Sequence, residues 1–248
     1  MADNSTIEWT DATWNPVTGC TKVSAGCDNC YAERFSERFR GVAGHYFKTG
    51  FDLTLRPQRL DQPLTWKRPR RIFVNSMSDL FHKGVPVNYV SEVFDVMERA
   101  NHHVYQILTK RSSLLRNFVN ARYGDNGCPR HIWLGVSIES PDYLVRLEHL
   151  RQTRADVRFV SFEPLVERMG QISMKGINWA IVGGESGHNA RPIEPVWVRE
   201  IRDQCRKQSV AFFFKQWGGR TPKARGNIID GRKWLDFPER DRRAPLGA

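Results

Sequence analysis

Apolar residues in this chain come in short unbroken runs separated by longer stretches of helical spacing. The runs are Arg71–Val74, Val104–Leu108, His131–Val136, Val157–Val160, Trp179–Val182 and Val210–Phe214. Unbroken runs of this length predict strands buried on both faces, as in a parallel sheet covered by helices. Between them, apolar positions return every three or four residues. This predicts helices over about 88–100, over the segment that turns Leu114, Leu115, Phe118 and Val119 inward, and over about 195–207. Another helix opens at Ser140-Pro141-Asp142, where a capping residue precedes proline at the first helical position. Earlier, Tyr31, Phe35 and Phe39 mark one face of a helix that stops at Gly41 and Gly44. Residues 5–20 hold a short first strand that ends in a cysteine turn. The expected fold is therefore α/β, a partial (β/α)6-type TIM-like barrel with an N-terminal cysteine-rich cluster loop. The rhythm runs through residues 1–218; residues 219–248 lose it and read as a basic extension packing on or trailing from the barrel.

Composition narrows this picture only a little. The chain has 248 residues, a barrel-sized single domain, and a formal net charge of +11. That balance favours a polyanionic partner. Basic clusters precede the second strand (Arg56, Arg59, Lys67, Arg68, Arg70) and follow the last (Arg220, Lys223, Arg225, Arg232, Lys233). Trp217 and Trp234 beside the second cluster could stack on an exposed base. No apolar run approaches the roughly 18 residues of a membrane span, and residues 1–13 lack a leader pattern. A cytoplasmic, monomeric protein without a membrane partner is expected.

The five cysteines are three close together plus two singles, which is no disulfide framework. Cys20, Cys27 and Cys30 are spaced C-x6-C-x2-C. No fourth cysteine or histidine lies nearby: the next are His45 and Cys128. Structural zinc usually closes with four protein ligands. A trio of thiolates suits a [4Fe–4S] cluster with one iron left open; zinc completed by a distant histidine is the alternative. Cys205 falls on the apolar face of its helix with Val198 and Ile201, and Cys128 precedes a strand at the opposite end.

Polar residues stand just past each strand. They are Asn75, Ser76, Ser78 and Asp79; Lys110 and Arg111; Ser137 and Glu139; Glu163; Gly183, Gly184 and Glu185; and Lys215 and Gln216. In parallel α/β folds such positions meet at one mouth. Glu139 and Glu163 could work as an acid–base pair, bind hydroxyls, or pair with Lys110 and Lys215.

These motifs carry a resemblance. A cysteine trio before (β/α) repeats resembles the radical S-adenosylmethionine (radical SAM) superfamily. The stretches 14–32, 75–81, 108–111, 135–139, 161–165 and 183–187, in that order, resemble a phage Gp37/Gp68-like family distantly similar to spore photoproduct lyase. The superfamily's usual spacing is C-x3-C-x2-C, so the first gap is wider here. The resemblance implies that Cys20, Cys27 and Cys30 hold a [4Fe–4S] cluster. It also implies that Ser76, Ser78 and Asp79 bind the amine of S-adenosyl-L-methionine, and that Lys110, Ser137 and Glu139 bind its carboxylate and ribose. Glu163, Glu185 and Lys215 would face the substrate or the rim. The implied activity is cleavage of S-adenosylmethionine to a 5′-deoxyadenosyl radical acting on nucleic acid, DNA favoured over RNA. Repair of pyrimidine photodimers by a lyase is the first form; an electron donor such as flavodoxin or ferredoxin would be needed. A base-modifying radical enzyme, a zinc-stabilised nucleic-acid-binding protein and a hydrolase with a divalent metal are the alternatives.

Overall fold

The computed structural model describes residues 5–238. Seven strands form one parallel sheet in chain order: β1 (Ala12–Trp14), β2 (Arg71–Val74), β3 (Val104–Thr109), β4 (Ile132–Ser137), β5 (Arg158–Phe162), β6 (Trp179–Gly183) and β7 (Ala211–Gln216). The fold is mixed α/β, and the sheet curls into a half-barrel. The seven are the short first strand expected within residues 5–20 and the six apolar runs, one strand more than a (β/α)6-type barrel has, and residues 12–14 pair with residues 72–74 at the edge. Trp14 secures that edge: it is fully buried and its indole N–H donates to the Arg59 carbonyl at 2.7 Å.

Helices α1 (Tyr31–Glu37), α2 (Val87–Arg99), α3 (Ser112–Tyr123), α4 (Val145–Arg151) and α5 (Pro195–Lys207) accompany the strands. Two expectations change. The segment after Ser140 begins with a 3-10 turn, Pro141–Tyr143, before α4, and the Ser140 side chain caps nothing. In α3, Leu115 and Val119 are buried but Leu114 faces solvent. No helix crosses between β5 and β6. Leu165, Met169, Ile172, Met174 and Ile177 are instead buried from irregular backbone. No helix among the described residues is long and apolar enough to cross a membrane.

Strand alternation divides the core in two. Outward residues such as Ile72, Ile107, Leu134, Val160, Val182 and Phe214 meet the helices. Inward residues form a second cluster of Phe73, Trp133, Phe159, Trp179, Ile181 and Phe213 around Trp9. The Trp179 ring lies within 6.0 Å of the Trp9, Trp133, Phe159 and Phe213 rings, so one indole ties four neighbours across the curl. Gly135 leaves room for this filling, since a Cβ there would sit 2.5 Å from the Phe159 ring. The carboxyl half of the interior is left open.

No ladder joins β1 to β7 among the described residues, and the chain's end crosses that gap. Leu235 bridges Phe213 in antiparallel fashion, and Phe214 N–H donates to the Trp234 carbonyl at 2.8 Å. Phe237 packs 5.2 Å from the Trp179 ring, with the Arg71 guanidinium 4.3 Å above it. Asn227 donates to the Glu8 carboxylate at 2.9 Å. Residues 239–248 of the expected extension lie outside the described residues. Trp234 is buried under Arg232, 3.4 Å from its ring centre, so it is unavailable for stacking on a base.

Candidate functional site

The open interior is a cavity of about 1190 Å³ at the carboxyl ends of the strands. Eleven of the expected site residues line it: Cys20, Cys27, Cys30, Ser76, Ser78, Asp79, Lys110, Ser137, Glu163, Glu185 and Lys215. Glu139 does not. It is fully buried behind the wall, where Oε2 accepts from Arg146 at 2.8 Å.

The first arm of the wall is built by residues 14–21. Asn15 Oδ1 accepts from the Met77 N–H at 2.9 Å, and Ser78 Oγ donates to the Val17 carbonyl at 2.8 Å. Gly19 has φ +80°, and a Cβ there would lie 2.2 Å from the Asp52 carbonyl oxygen, so only glycine lets the chain pass before Cys20. Arg56 braces the same arm by donating to Thr18 Oγ1 at 3.0 Å and the Tyr46 carbonyl at 2.7 Å.

Asp79 is buried with a saturated carboxylate. It accepts from Phe81 N–H at 2.9 Å, Thr109 Oγ1 at 2.7 Å, Lys110 N–H at 3.2 Å and Arg111 Nη1 at 2.9 Å. Arg111 then reaches the arm, donating to Cys20 Sγ at 3.4 Å and the Thr21 carbonyl at 3.0 Å. Asp79 thus acts through Arg111 on Cys20, and no lone pair is left facing an amine. Burial, then the Asp79 charge, raises the Cys20 pKa, against the opposing pull of Arg111.

The second arm, residues 24–34, is clamped from the loop after β6. Glu185 Oε2 accepts from Asn29 Nδ2 at 2.8 Å and Arg191 N–H at 2.9 Å, and Oε1 accepts from Arg191 Nη2 at 2.7 Å. Arg191 also donates to the Ala25 carbonyl at 2.7 Å, while Arg34 holds the Asn29 and Ser186 carbonyls. Burial alone would push Glu185 up, but its Arg191 and Asn29 donors hold it below the usual carboxylate range. Cys30 stands at the N-cap position of α1 without a side-chain cap hydrogen bond, and burial raises its thiol pKa despite the N–H groups of Glu33 and Ala32 and the nearby Lys110.

The remaining charged groups are less engaged. Lys215 donates to Glu163 Oε1, with both side chains 20% exposed in the cavity. The Lys110 ammonium makes no hydrogen bond or ion pair with a described residue. From the tail, Lys223 and Lys233 join the rim.

Cys20, Cys27 and Cys30 are free, half-buried thiols on one cavity. Among the described residues no three His, Cys, Asp or Glu side chains gather to hold a metal ion. The donor chemistry fits an iron–sulfur group, three thiols with no fourth protein ligand. What the fold presents is that donor set, not an assembled cluster site. Among the described residues there is likewise no closed four-ligand zinc centre of the usual kind. Cys205 and Cys128 are buried away from the cavity, with burial pushing each thiol up to about 12.

Sequence reasoning assigned no site role to Arg111, Arg191 or Trp9. Arg111 stood beside Lys110 in the strand-end pattern, whereas nothing local marked Arg191 or Trp9.

Two solved structures show a distant similarity to the chain. One is a spore photoproduct lyase double mutant with bound AdoMet and dinucleoside spore photoproduct, at 12% identity and TM-score 0.44, covering 79% of this chain and 61% of that one. The other, spore photoproduct lyase complexed with dinucleoside spore photoproduct, has the same identity and TM-score and covers 77% and 59%. The chain therefore spans less than two thirds of either. No curated protein matches it. Residues 4–238 match the family described as protein of unknown function (DUF5131), and the chain belongs to that family.

Proposed function

We propose that this protein is a radical enzyme that holds a [4Fe–4S] cluster on Cys20, Cys27 and Cys30, uses S-adenosyl-L-methionine, and acts on nucleic acid. One observation carries the reading: three free thiols, Cys20, Cys27 and Cys30, line one cavity at the carboxyl mouth of a parallel half-barrel, although among the described residues they are not drawn together as an assembled metal site. The motif order shared with the phage Gp37/Gp68-like sequences supports it. Such a cluster, when bound, supplies the electron that splits S-adenosylmethionine to methionine and a 5′-deoxyadenosyl radical. The chain's own part is to position and to exclude water. Arg111 and the Glu185–Arg191 clamp fix the two thiol arms, and Lys110 and Lys215 offer cationic donors to anionic groups of the bound molecules. Repair of a pyrimidine photoproduct in DNA is the finer form of this reading, with a flavodoxin or ferredoxin as electron donor to a monomer.

A hydrolase with a divalent metal has less support, because Glu139, Glu163 and Glu185 are each paired with a separate cation.

Protein purified without oxygen is expected to carry about four irons and four sulfides per chain, as a cubane requires. It should release 5′-deoxyadenosine after reduction with S-adenosylmethionine present. The Cys27→Ala variant should lose both. Tightly bound zinc without iron, persisting through anaerobic reconstitution, would overturn the proposal.

A further inference from the structure

Buried polar atoms in a folded protein are nearly always hydrogen-bonded. Here Trp9 Nε1, both amide atoms of Asn75 and Ser161 Oγ are buried without a partner among the described residues. The residues are 2%, 2% and 1% exposed, so solvent does not serve them. All three line the cavity, together with the apolar side chains of Ile7, Phe73 and Leu108.

The positions are well separated. Asn75 follows β2 and Ser161 lies on β5, three strand steps apart. With strands about 4.8 Å apart, this is roughly 14 Å along the curved sheet. That spacing along the sheet is wider than the ligands of one ion would need. Asn75 has φ +62°, a conformation asparagine tolerates better than most residues. That explains the residue type but not why its amide is buried and unpaired.

The donor count sets the ligand's edge. An indole N–H only donates, a carboxamide offers two donor hydrogens and one acceptor oxygen, and a hydroxyl does either. In either orientation the amide pairs bidentately with an adjacent donor and acceptor, as asparagine does with base edges. The surplus of donors calls for a second acceptor on the ligand. A cyclic imide, carbonyl–NH–carbonyl, supplies that pattern, and the aromatic floor of Trp9 and Phe73, 4.6 Å apart, suits its flat ring.

We propose that Trp9, Asn75 and Ser161 form the subsite that reads the imide edge of a uracil- or thymine-type base. This deepens the proposed function and rests on its nucleic-acid substrate class, not on its iron. Lys110 and Lys215 line the same cavity and offer cations to the attached anionic groups.

The test is equilibrium dialysis of the full chain, reduced and with or without reconstituted metal, against the thymidine dinucleotide TpT. Its N3-methylated form and the deoxyadenosine dinucleotide serve as comparisons. TpT should bind about tenfold or more tighter than either, the usual scale of one bidentate contact. Asn75→Gly keeps the positive-φ backbone, so it should fold with an unchanged unfolding midpoint yet erase the preference. Ser161→Ala and Trp9→Phe should each weaken TpT binding a fewfold. Absence of TpT binding, equal binding of the N3-methylated form, or an unaltered preference in a folded Asn75→Gly overturns the subsite. Iron content reads separately: imide preference without a cluster sinks the radical reading alone, and a cluster without imide preference sinks the subsite alone.

Discussion

Two acid–base pairs face the same cavity, and they do different jobs. Asp79–Arg111 has side chains 9% and 8% exposed, and the carboxylate is filled by four donor groups of the chain itself. Glu163–Lys215 has 20% exposure on each side chain and a single mutual contact. The first pair is closed and passes its order on to Cys20 through Arg111. The second keeps two ammonium hydrogens and a carboxylate oxygen for whatever enters. Position at a strand end is thus shared by groups that build the site and groups that serve it. The number of internal partners separates them.

The sharpest way to break this contrast is to remove Asp79. Asp79→Ala leaves a buried guanidinium unpaired and should cost about 3–5 kcal/mol, read as a lowered denaturant midpoint. A near-wild-type midpoint would put Asp79 among the ligand-binding groups after all.

A smaller effect is expected at the second arm. Glu185 has a folded pKa below its unfolded one, so its contribution is fully present above the ordinary carboxylate range. It is lost as pH falls through the lowered folded value. Proteolysis of the 24–34 loop should therefore stay slow at neutral pH and quicken on acidification. Glu185→Gln should be cleaved faster at neutral pH, with that acid dependence flattened. An unchanged pH profile in the variant would show that other groups hold the arm.

The smallest stability change is expected at the open pair. Glu163→Gln should shift stability by only about 1 kcal/mol or less, as for partly exposed ion pairs, while nucleic-acid binding or turnover changes more. A large stability loss with function intact would make both pairs scaffolding.

The sequence made the strands and the mouth legible because unbroken apolar runs and polar strand ends are local signals. It did not reveal which polar groups were already satisfied. Arg111 meets Cys20 across 91 positions, and Asn29 meets Glu185 across 156. Such partners are chosen by the curl of the sheet, which no window of sequence reports. Glu139 illustrates the limit: it stands in the strand-end pattern like Glu163, yet its Arg146 partner lies seven residues on, behind the wall. Trp234 looked like a stacking residue because basic residues surround it, and the same Arg232 covers its ring.

The seam between β1 and β7 has a consequence for biosynthesis. Its stitches join residues far apart in sequence: Asn227 to Glu8, and Phe237 to Arg71, whose guanidinium lies over its ring. A nascent chain cannot make them until residues 227–237 have left the ribosome, so until then the inner aromatic cluster stays uncovered on that side. Ribosome-stalled chains ending near residue 225 should accordingly bind a hydrophobic dye that chains extending past residue 237 exclude, and equal dye binding by both would show that the inner cluster is covered without residues 227–237.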